Sequence, residues 1–203
     1  MPLEHNERRR AILRADQFNQ YALVEVLSRS AVEEFAGDIN VWLRRASALT
    51  ALCRYDEAQQ LLDAALEQAD EELLPFVWTY KAKLAERRGD FAECERCLLQ
   101  ADELRPNTSW ILIPLAHVTW LRGDLKLARR RFQQALFLEG EDADRDEALF
   151  NLGGVLVALG QLAEAAQCYR EALELSPDYE IARVRLNDVE AALQIEVGWT
   201  KPN

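Results

Sequence analysis

The sequence predicts an all-α protein in which one helical hairpin is repeated along the chain. Three observations support this fold class: few helix-breaking residues, apolar residues at helical spacing, and a motif that returns at nearly constant intervals. Of the 203 residues, 6 are Pro and 8 are Gly, while 49% are apolar. This composition is typical of packed helices with a sizeable core, and strands are not expected.

The repeated motif is a short turn between two helices with apolar periodicity. The aligned turns begin at Cys53, Gly89, Gly123 and Gly160, with spacings of 36, 34 and 37 residues. Each turn is followed at fixed offsets by a small, a bulky and a second small residue: Ala58, Leu62, Ala65; Cys94, Leu98, Ala101; Ala128, Phe132, Ala135; and Ala165, Tyr169, Ala172. Small residues let two helix backbones approach closely, so each copy predicts an antiparallel helix pair.

With these offsets the chain resembles the tetratricopeptide-repeat family. The fourth copy carries the family pattern most completely, at Leu149, Leu152, Gly153, Leu156, Gly160, Ala165, Tyr169, Ala172 and Pro177. The resemblance implies a tetratricopeptide-repeat solenoid, in which antiparallel helix pairs form a right-handed superhelix with a concave groove. The copies are assigned to 39–72, 75–108, 109–142 and 146–179 of a single solenoid over 1–203.

The two ends of the chain are interpreted from the same register. Residues 5–36 are expected to form a degenerate N-terminal hairpin that turns near 15–17. Residues 180–195 are expected to form a C-terminal capping helix, and 196–203 a flexible tail in which Trp199 is either a loose end or a clasp. Two earlier copies depart from the family pattern, because Arg45 and Lys81 stand where a core Leu is usual.

Charge and composition exclude several classes of partner. A formal net charge of -11 would repel a phosphate backbone, so no nucleic-acid partner is expected. No run of about 18 apolar residues and no apolar leader is present, so no membrane partner is expected. For the same reason we expect a cytoplasmic location. The four cysteines fit a reducing compartment, and 20 arginines against 4 lysines indicate a bacterial origin.

The Cys-x-x-Cys motif at Cys94 and Cys97 favours packing over zinc or redox chemistry. Both cysteines lie inside a predicted helix, and the histidines, His5 and His117, belong to other repeats. His117 also has no Ser or Cys beside it that could act as a nucleophile. No catalytic residue, metal or cofactor is therefore expected, and the chain is predicted not to be an enzyme.

A second chemical motif, the alternating Asp142, Asp144 and Asp146, resembles a calcium loop. Glu147 occupies the place where that loop needs Gly, and Gly153 occupies the place where it needs a bidentate Glu. We therefore expect an inter-repeat loop whose aspartates cap the following helix.

In the family, fixed positions of each first helix face the concave side, so the resemblance implies a groove residue by residue. The partner-binding residues expected there are Arg44, Phe76, Tyr80, Lys83, Trp110, Ile113, His117, Trp120, Phe150, Asn151 and Arg185. The fourth copy also contributes Glu147, Gly154 and Val157. Aromatic anchors framed by arginine are typical of binding hot spots. The Lys and Asn clamp with which some family members bind a chaperone's C-terminal carboxylate is absent.

Three tryptophan and proline positions carry further expectations. Trp42 and Trp78 are placed in the core, at the fourth position of their repeats. Pro114 lies inside a first helix, where it removes the hydrogen bond to the Trp110 carbonyl. Either a kink absorbs this loss, or the carbonyl becomes an acceptor for a bound backbone.

The function implied is a scaffold that binds another protein or a peptide. The leading hypothesis is a cytoplasmic bacterial adaptor or specialised chaperone that holds an apolar segment of its partner. The alternative is a regulatory sensor whose superhelix changes shape on binding a peptide. A metal- or thiol-dependent enzyme is the third class.

Overall fold

A computed structural model describes residues 5–29, 38–138 and 144–199 of the chain. Within these ranges the secondary structure is helical and no strand is present, which confirms the predicted all-α class. The chain forms two compact units, Met1–Arg105 and Pro106–Asn203. Each unit is described separately below.

The first unit contains six described helices, and helices adjacent in this order pack against each other. They are α1 His5–Gln17, α2 Tyr21–Arg29, α3 Ile39–Ala51, α4 Tyr55–Gln68, α5 Leu74–Arg88 and α6 Phe91–Leu104. The pairs α3 with α4 and α5 with α6 correspond to the first two predicted repeats.

The second unit contains five described helices with the same sequential packing. They are α7 Ser109–Leu121, α8 Leu125–Leu136, α9 Arg145–Ala158, α10 Leu162–Leu175 and α11 Glu180–Trp199. The pairs α7 with α8 and α9 with α10 correspond to the third and fourth predicted repeats, and α11 packs on α10. None of the helices in the described ranges combines the length and apolar composition that a bilayer crossing requires.

The turn inside each pair uses a left-handed backbone residue. Gly89, Gly123 and Gly160 have φ of 80°, 92° and 74°. Cys53 occupies the equivalent place with φ of 59°, although a residue with a Cβ adopts this conformation only at an energetic cost. Asp caps then start several helices: the Asp90 carboxylate accepts a hydrogen bond from the Glu93 amide, for example.

The small residues that define the repeat lie in the interior of the helix pairs. Ala58, Ala128 and Ala165 are fully buried, and Cys94 at the same register position is buried as well. The bulky residues that follow fill the core of each unit, namely Leu62 and Leu98 in the first and Phe132 and Tyr169 in the second. The packing role predicted for these offsets is therefore confirmed.

Three local expectations differ from the structure. The N-terminal turn lies at 18–20, because α1 continues through 15–17 and Asn19 takes the left-handed conformation with φ of 53°. Helix α11 extends to Trp199, past the predicted end at 195. Trp42 is buried as expected, but Trp78 is half-buried, with the Lys81 ammonium 5.7 Å and the Arg96 guanidinium 5.6 Å from its ring centre.

Some expectations concern residues outside the described part of the chain. These are the end of the N-terminal hairpin at 30–36, the loop residue Asp142, the last tail residues 200–203 and the side chain of Trp199.

Candidate functional site

The predicted groove residues fall in both units. Those of the first unit are Arg44, Phe76, Tyr80 and Lys83. Arg44 forms an ion pair with Asp16, with 2.6 Å between Nη1 and Oδ2, so its guanidinium is already engaged within the unit. Phe76 and Tyr80 are half-buried and pack against the core, and Lys83 is exposed. Burial raises the pKa of the Tyr80 hydroxyl.

The second unit brings five of the predicted residues together in one pocket of about 540 Å³. They are His117, Trp120, Phe150, Asn151 and Arg185. The rest of the lining consists of Gly154, Val157, Ala158, Leu162, Tyr169, Asp188, Val189 and Ala192. Helices α7, α9, α10 and α11 all contribute, so the pocket is formed by the tertiary packing of this unit.

Ile113 was wrongly predicted as a surface residue of the groove. Its side chain is 3% exposed and lies in the core of the second unit with Leu112 and Ala116. The reason is that α7 is buried on most of its circumference, with eight of its thirteen residues in the interior. Trp110, on the same helix, is half-buried and does not line the pocket.

Two consecutive glycines of α9 set the shape of the pocket. A Cβ atom at Gly154 would lie 2.7 Å from Cη2 of Trp120, and one at Gly153 would lie 2.6 Å from Cε1 of Tyr169. Both distances are below any normal carbon contact. The indole of α7 and the phenol of α10 therefore rest directly on the α9 backbone, and the indole forms one wall of the pocket.

Aromatic rings continue from this wall around the site. The rings of His117 and Trp120 meet edge to face with centroids 6.0 Å apart. Phe150 lies 5.8 Å from Tyr169 and 5.0 Å from Tyr179, measured between ring centroids. Such contacts hold the rings in defined orientations, so the pocket is preformed and mostly apolar.

A few polar groups border the apolar wall. The Asn151 amide nitrogen donates a hydrogen bond of 3.0 Å to the Glu147 carbonyl, which fixes the amide in place. Arg185 and Asp188 lie exposed on α11, one turn apart. Burial raises the pKa of the Tyr169 hydroxyl, although the Arg185 charge opposes this shift.

The cysteine motif behaves as packing, as predicted. Cys94 and Cys97 are buried in α6, and burial raises the pKa of each thiol to about 12. The Cys97 thiol donates a hydrogen bond of 3.4 Å to a Glu93 carboxylate oxygen. In the part of the chain that the structure describes, no group of three His, Cys, Asp or Glu side chains is arranged to hold a metal ion.

Helix α7 continues through Pro114 from Ser109 to Leu121. The role of the Trp110 carbonyl as an acceptor for a bound backbone stays a prediction.

Known proteins share both the repeat and its helical geometry. Residues 146–179, which contain α9 and α10, match the family model described as tetratricopeptide repeat. The family model identifies residues 146–179 as a tetratricopeptide repeat, and the further comparisons support a tetratricopeptide-repeat protein. It is 28% identical over 177 residues to the TPR repeat-containing protein PA4667 of Pseudomonas aeruginosa, covering 84% of this chain and 28% of that relative. The chain thus spans less than a third of that relative's length.

Solved structures share the fold. TTC0263, a thermophilic TPR protein of Thermus thermophilus, superposes with a TM-score of 0.76 at 19% identity, covering 92% of this chain and 98% of the other. YrrB, described as a TPR protein with an unusual peptide-binding site, gives a TM-score of 0.59 at 16% identity, covering 84% and 86%. These likenesses confirm the predicted tetratricopeptide-repeat solenoid class.

Sequence reasoning placed Arg185 of α11 in the groove but missed the contribution of α10 and the apolar residues of α11. Leu162, Tyr169, Val189 and Ala192 line the pocket but were not placed in the groove. Tyr169 was assigned to helix packing alone, because Leu or Phe fills its position in the other copies. A usable signal was present in Gly153, since a glycine opposite a tyrosine at that register indicates a ring lying against the backbone.

Proposed function

We propose that this protein is a protein–protein interaction scaffold whose second unit binds an apolar side chain of a partner segment in the pocket. The proposal includes the role expected from the sequence, a bacterial cytoplasmic adaptor or specialised chaperone. It assigns no reaction to the chain. The observation that carries it is the preformed aromatic pocket of about 540 Å³.

The volume and lining of the pocket favour this occupant. Ligand pockets in proteins span about 300–1,000 Å³ and are mostly apolar with a few polar groups that fix orientation. Trp120, Phe150 and Tyr169 supply the apolar walls here, and Asn151 supplies an oriented amide. One large side chain with its flanking backbone fits these dimensions and this chemistry.

The surface beside the pocket favours a peptide over an isolated small molecule. Ile181 and Val184 lie on the same face of α11 as Asp188 and are 60% and 49% exposed. This apolar stripe extends the candidate surface beyond the pocket, and contiguous exposed apolar residues are typical of protein contacts. YrrB, with its described peptide-binding site, is a precedent for peptide binding on this fold.

Selection from a displayed library of random 16-residue peptides tests the proposal. Wild-type protein is expected to enrich peptides with a recurring aromatic or aliphatic anchor. Trp120→Ala should weaken these peptides by at least about 30-fold, the equivalent of about 2 kcal/mol for a hot-spot residue. The matched control is Trp78→Ala, which removes a half-buried tryptophan of the first unit and should leave binding unchanged.

Thermal melts of both variants accompany the binding measurements, so that affinity is compared per folded molecule. Failure to enrich any anchor, or equal binding by wild type and Trp120→Ala, would overturn the proposal.

A further inference from the structure

The pocket has a carboxylate neighbour on α9. Glu147, Asn151, Gly154 and Ala158 are spaced by four, three and four residues and therefore share one helix face. The last three line the pocket. Glu147 is the next position on that face, about 6 Å from Asn151 along the helix axis.

Electrostatic interactions from two sides place the Glu147 carboxylate near aromatic residues of the site. It interacts electrostatically with His117 of α7, whose ring meets Trp120 at 6.0 Å. It also interacts with Tyr179, which precedes α11 and whose ring lies 5.0 Å from Phe150. The exposed carboxylate therefore lies in the first turn of α9, on the side of the site where His117 and Tyr179 lie.

Within the described ranges this carboxylate has no Lys or Arg partner. Its oxygens make no hydrogen bond or ion pair there, whereas neighbouring Asp146 accepts a hydrogen bond of 2.6 Å from the Ser176 hydroxyl. Partial desolvation, followed by the charges of Asp144 and Asp146, raises the pKa of the Glu147 carboxyl, and His117 opposes the shift. A cation at this place would relieve the repulsion among the three carboxylates.

The remaining charges at the site do not supply that cation. Arg185 and Asp188 both line the pocket and carry opposite charges, so together they leave its net charge unchanged. Glu147 therefore adds a negative charge beside the pocket, and the chain as a whole is also negative at -11.

From this arrangement, and resting on the proposed function, we propose that the bound segment is basic as well as apolar. Its anchor side chain fills the pocket, and a Lys or Arg side chain pairs with Glu147. Gly154 lies seven residues from Glu147 on the helix, about 10 Å along the axis. An extended chain covers that distance in about three residues, which sets the expected spacing between the anchor and the basic residue.

The same peptide selection tests this inference on separate variants. Wild-type protein is expected to enrich peptides with Lys or Arg about three residues from the apolar anchor. In a synthetic enriched peptide, replacing that basic residue with Gln should weaken binding to wild type about 5-fold, a typical effect for a partly exposed ion pair. The same replacement should have no effect on binding to Glu147→Gln.

Charge reversal and a control sharpen the result. Glu147→Lys should shift the enriched residue at that spacing from basic to acidic. Glu174→Gln, an exposed neutralisation on α10 outside the pocket lining, should keep the basic preference. Raising the salt concentration should reduce the wild-type preference and leave that of Glu147→Gln unchanged.

Two negative outcomes are distinguishable. Apolar anchors that depend on Trp120 but show no basic preference, or a basic preference retained by Glu147→Gln, would overturn this inference and leave the proposed function standing. The absence of any Trp120-dependent peptide would overturn both.

Discussion

The two compact units differ at one equivalent register position, the seventh of each repeat. In the second unit this position is Leu115 and Leu152, which are 2% and 5% exposed. In the first unit it is Arg45 and Lys81. The Lys81 ammonium pairs with Asp63, but the Nε of Arg45 is buried without a hydrogen-bond partner in the described part of the chain. The helix pair thus forms with either leucine or a basic side chain at the seventh position.

The next position explains why the pair tolerates that difference. It holds Ala46, Ala82 and Ala116 in three copies, all buried, and Gly153 in the fourth. Backbone approach therefore depends on the small residue, and the seventh position only fills the space beside it. The units share their geometry through small residues and differ in what the remaining surface offers to a partner.

The largest effect is expected from introducing the first unit's chemistry into the second. Leu152→Arg places a charge in a core that has no carboxylate among its described members, and should reduce the free energy of unfolding by about 4 kcal/mol or more. Chemical denaturation measures the change. Val157→Arg, at a half-exposed site on the same helix, should change it by no more than about 0.5 kcal/mol. A mild effect of Leu152→Arg would show that the second unit also accommodates a charge.

A smaller effect on stability is expected at the eighth repeat position, where the fourth copy has Gly153 and the other copies have alanine. Gly153→Ala directs a methyl group into the Tyr169 ring and should destabilise the protein by about 2 kcal/mol. Combining it with Tyr169→Leu, the residue type of the first two copies, should recover part of that loss beyond additivity. A double-mutant cycle in denaturant measures the coupling, and additive effects would contradict the contact.

The reverse exchange, in which leucine replaces a charged residue of the first unit, should stabilise the protein. Arg45→Leu removes the buried Nε that has no partner in the described ranges, and should increase the free energy of unfolding by about 1 kcal/mol. Desolvation also lowers the pKa of the Arg45 guanidinium, which agrees with an unfavourable site for the charge. Lys81→Leu is the comparison, because Lys81 has its ion pair with Asp63 and should gain less. Loss of stability in Arg45→Leu would mean that the guanidinium contributes to the fold.

The smallest effect concerns the turns. Cys53→Gly should raise the free energy of unfolding by about 0.5 to 1 kcal/mol, because the left-handed φ of 59° strains any residue with a Cβ. Gly89→Ala, at the equivalent turn of the next pair, should lower it by a similar amount. Melting temperatures that move in the same direction for both variants would rule out this account of the turn.

The sequence predicted the parts of the structure that depend on local pattern. Ala58, Cys94, Ala128 and Ala165 identify the helix pairs because close approach accepts only small side chains. The turn glycines mark the ends of helices for a similarly local reason. Ile113 was predicted wrongly because its burial depends on how many neighbours surround α7, which no single helix period encodes.

The pocket illustrates the same limit. His117, Trp120 and Asn151 were named from the resemblance, but their convergence with Val189 and Ala192 required the packing of α11 on α10. The prediction that Trp78 is buried was wrong for a related reason. Its repeat position predicts burial, but the ring is only half-buried, and the Lys81 and Arg96 side chains lie over it.

The distribution of thiols gives each unit its own kinetic reporter. Cys94 and Cys97 lie in the first unit, and Cys168 lies in the second with a pKa raised to about 11 by burial. A thiol reagent reacts with the thiolate, so buried Cys94 and Cys97 should label only while the first unit is open, and half-buried Cys168 should label slowly until the second unit opens. Exposed Cys53 reports the unhindered rate in the same molecule. Timed alkylation followed by peptide mass analysis should therefore reveal which unit opens first, with no added probe.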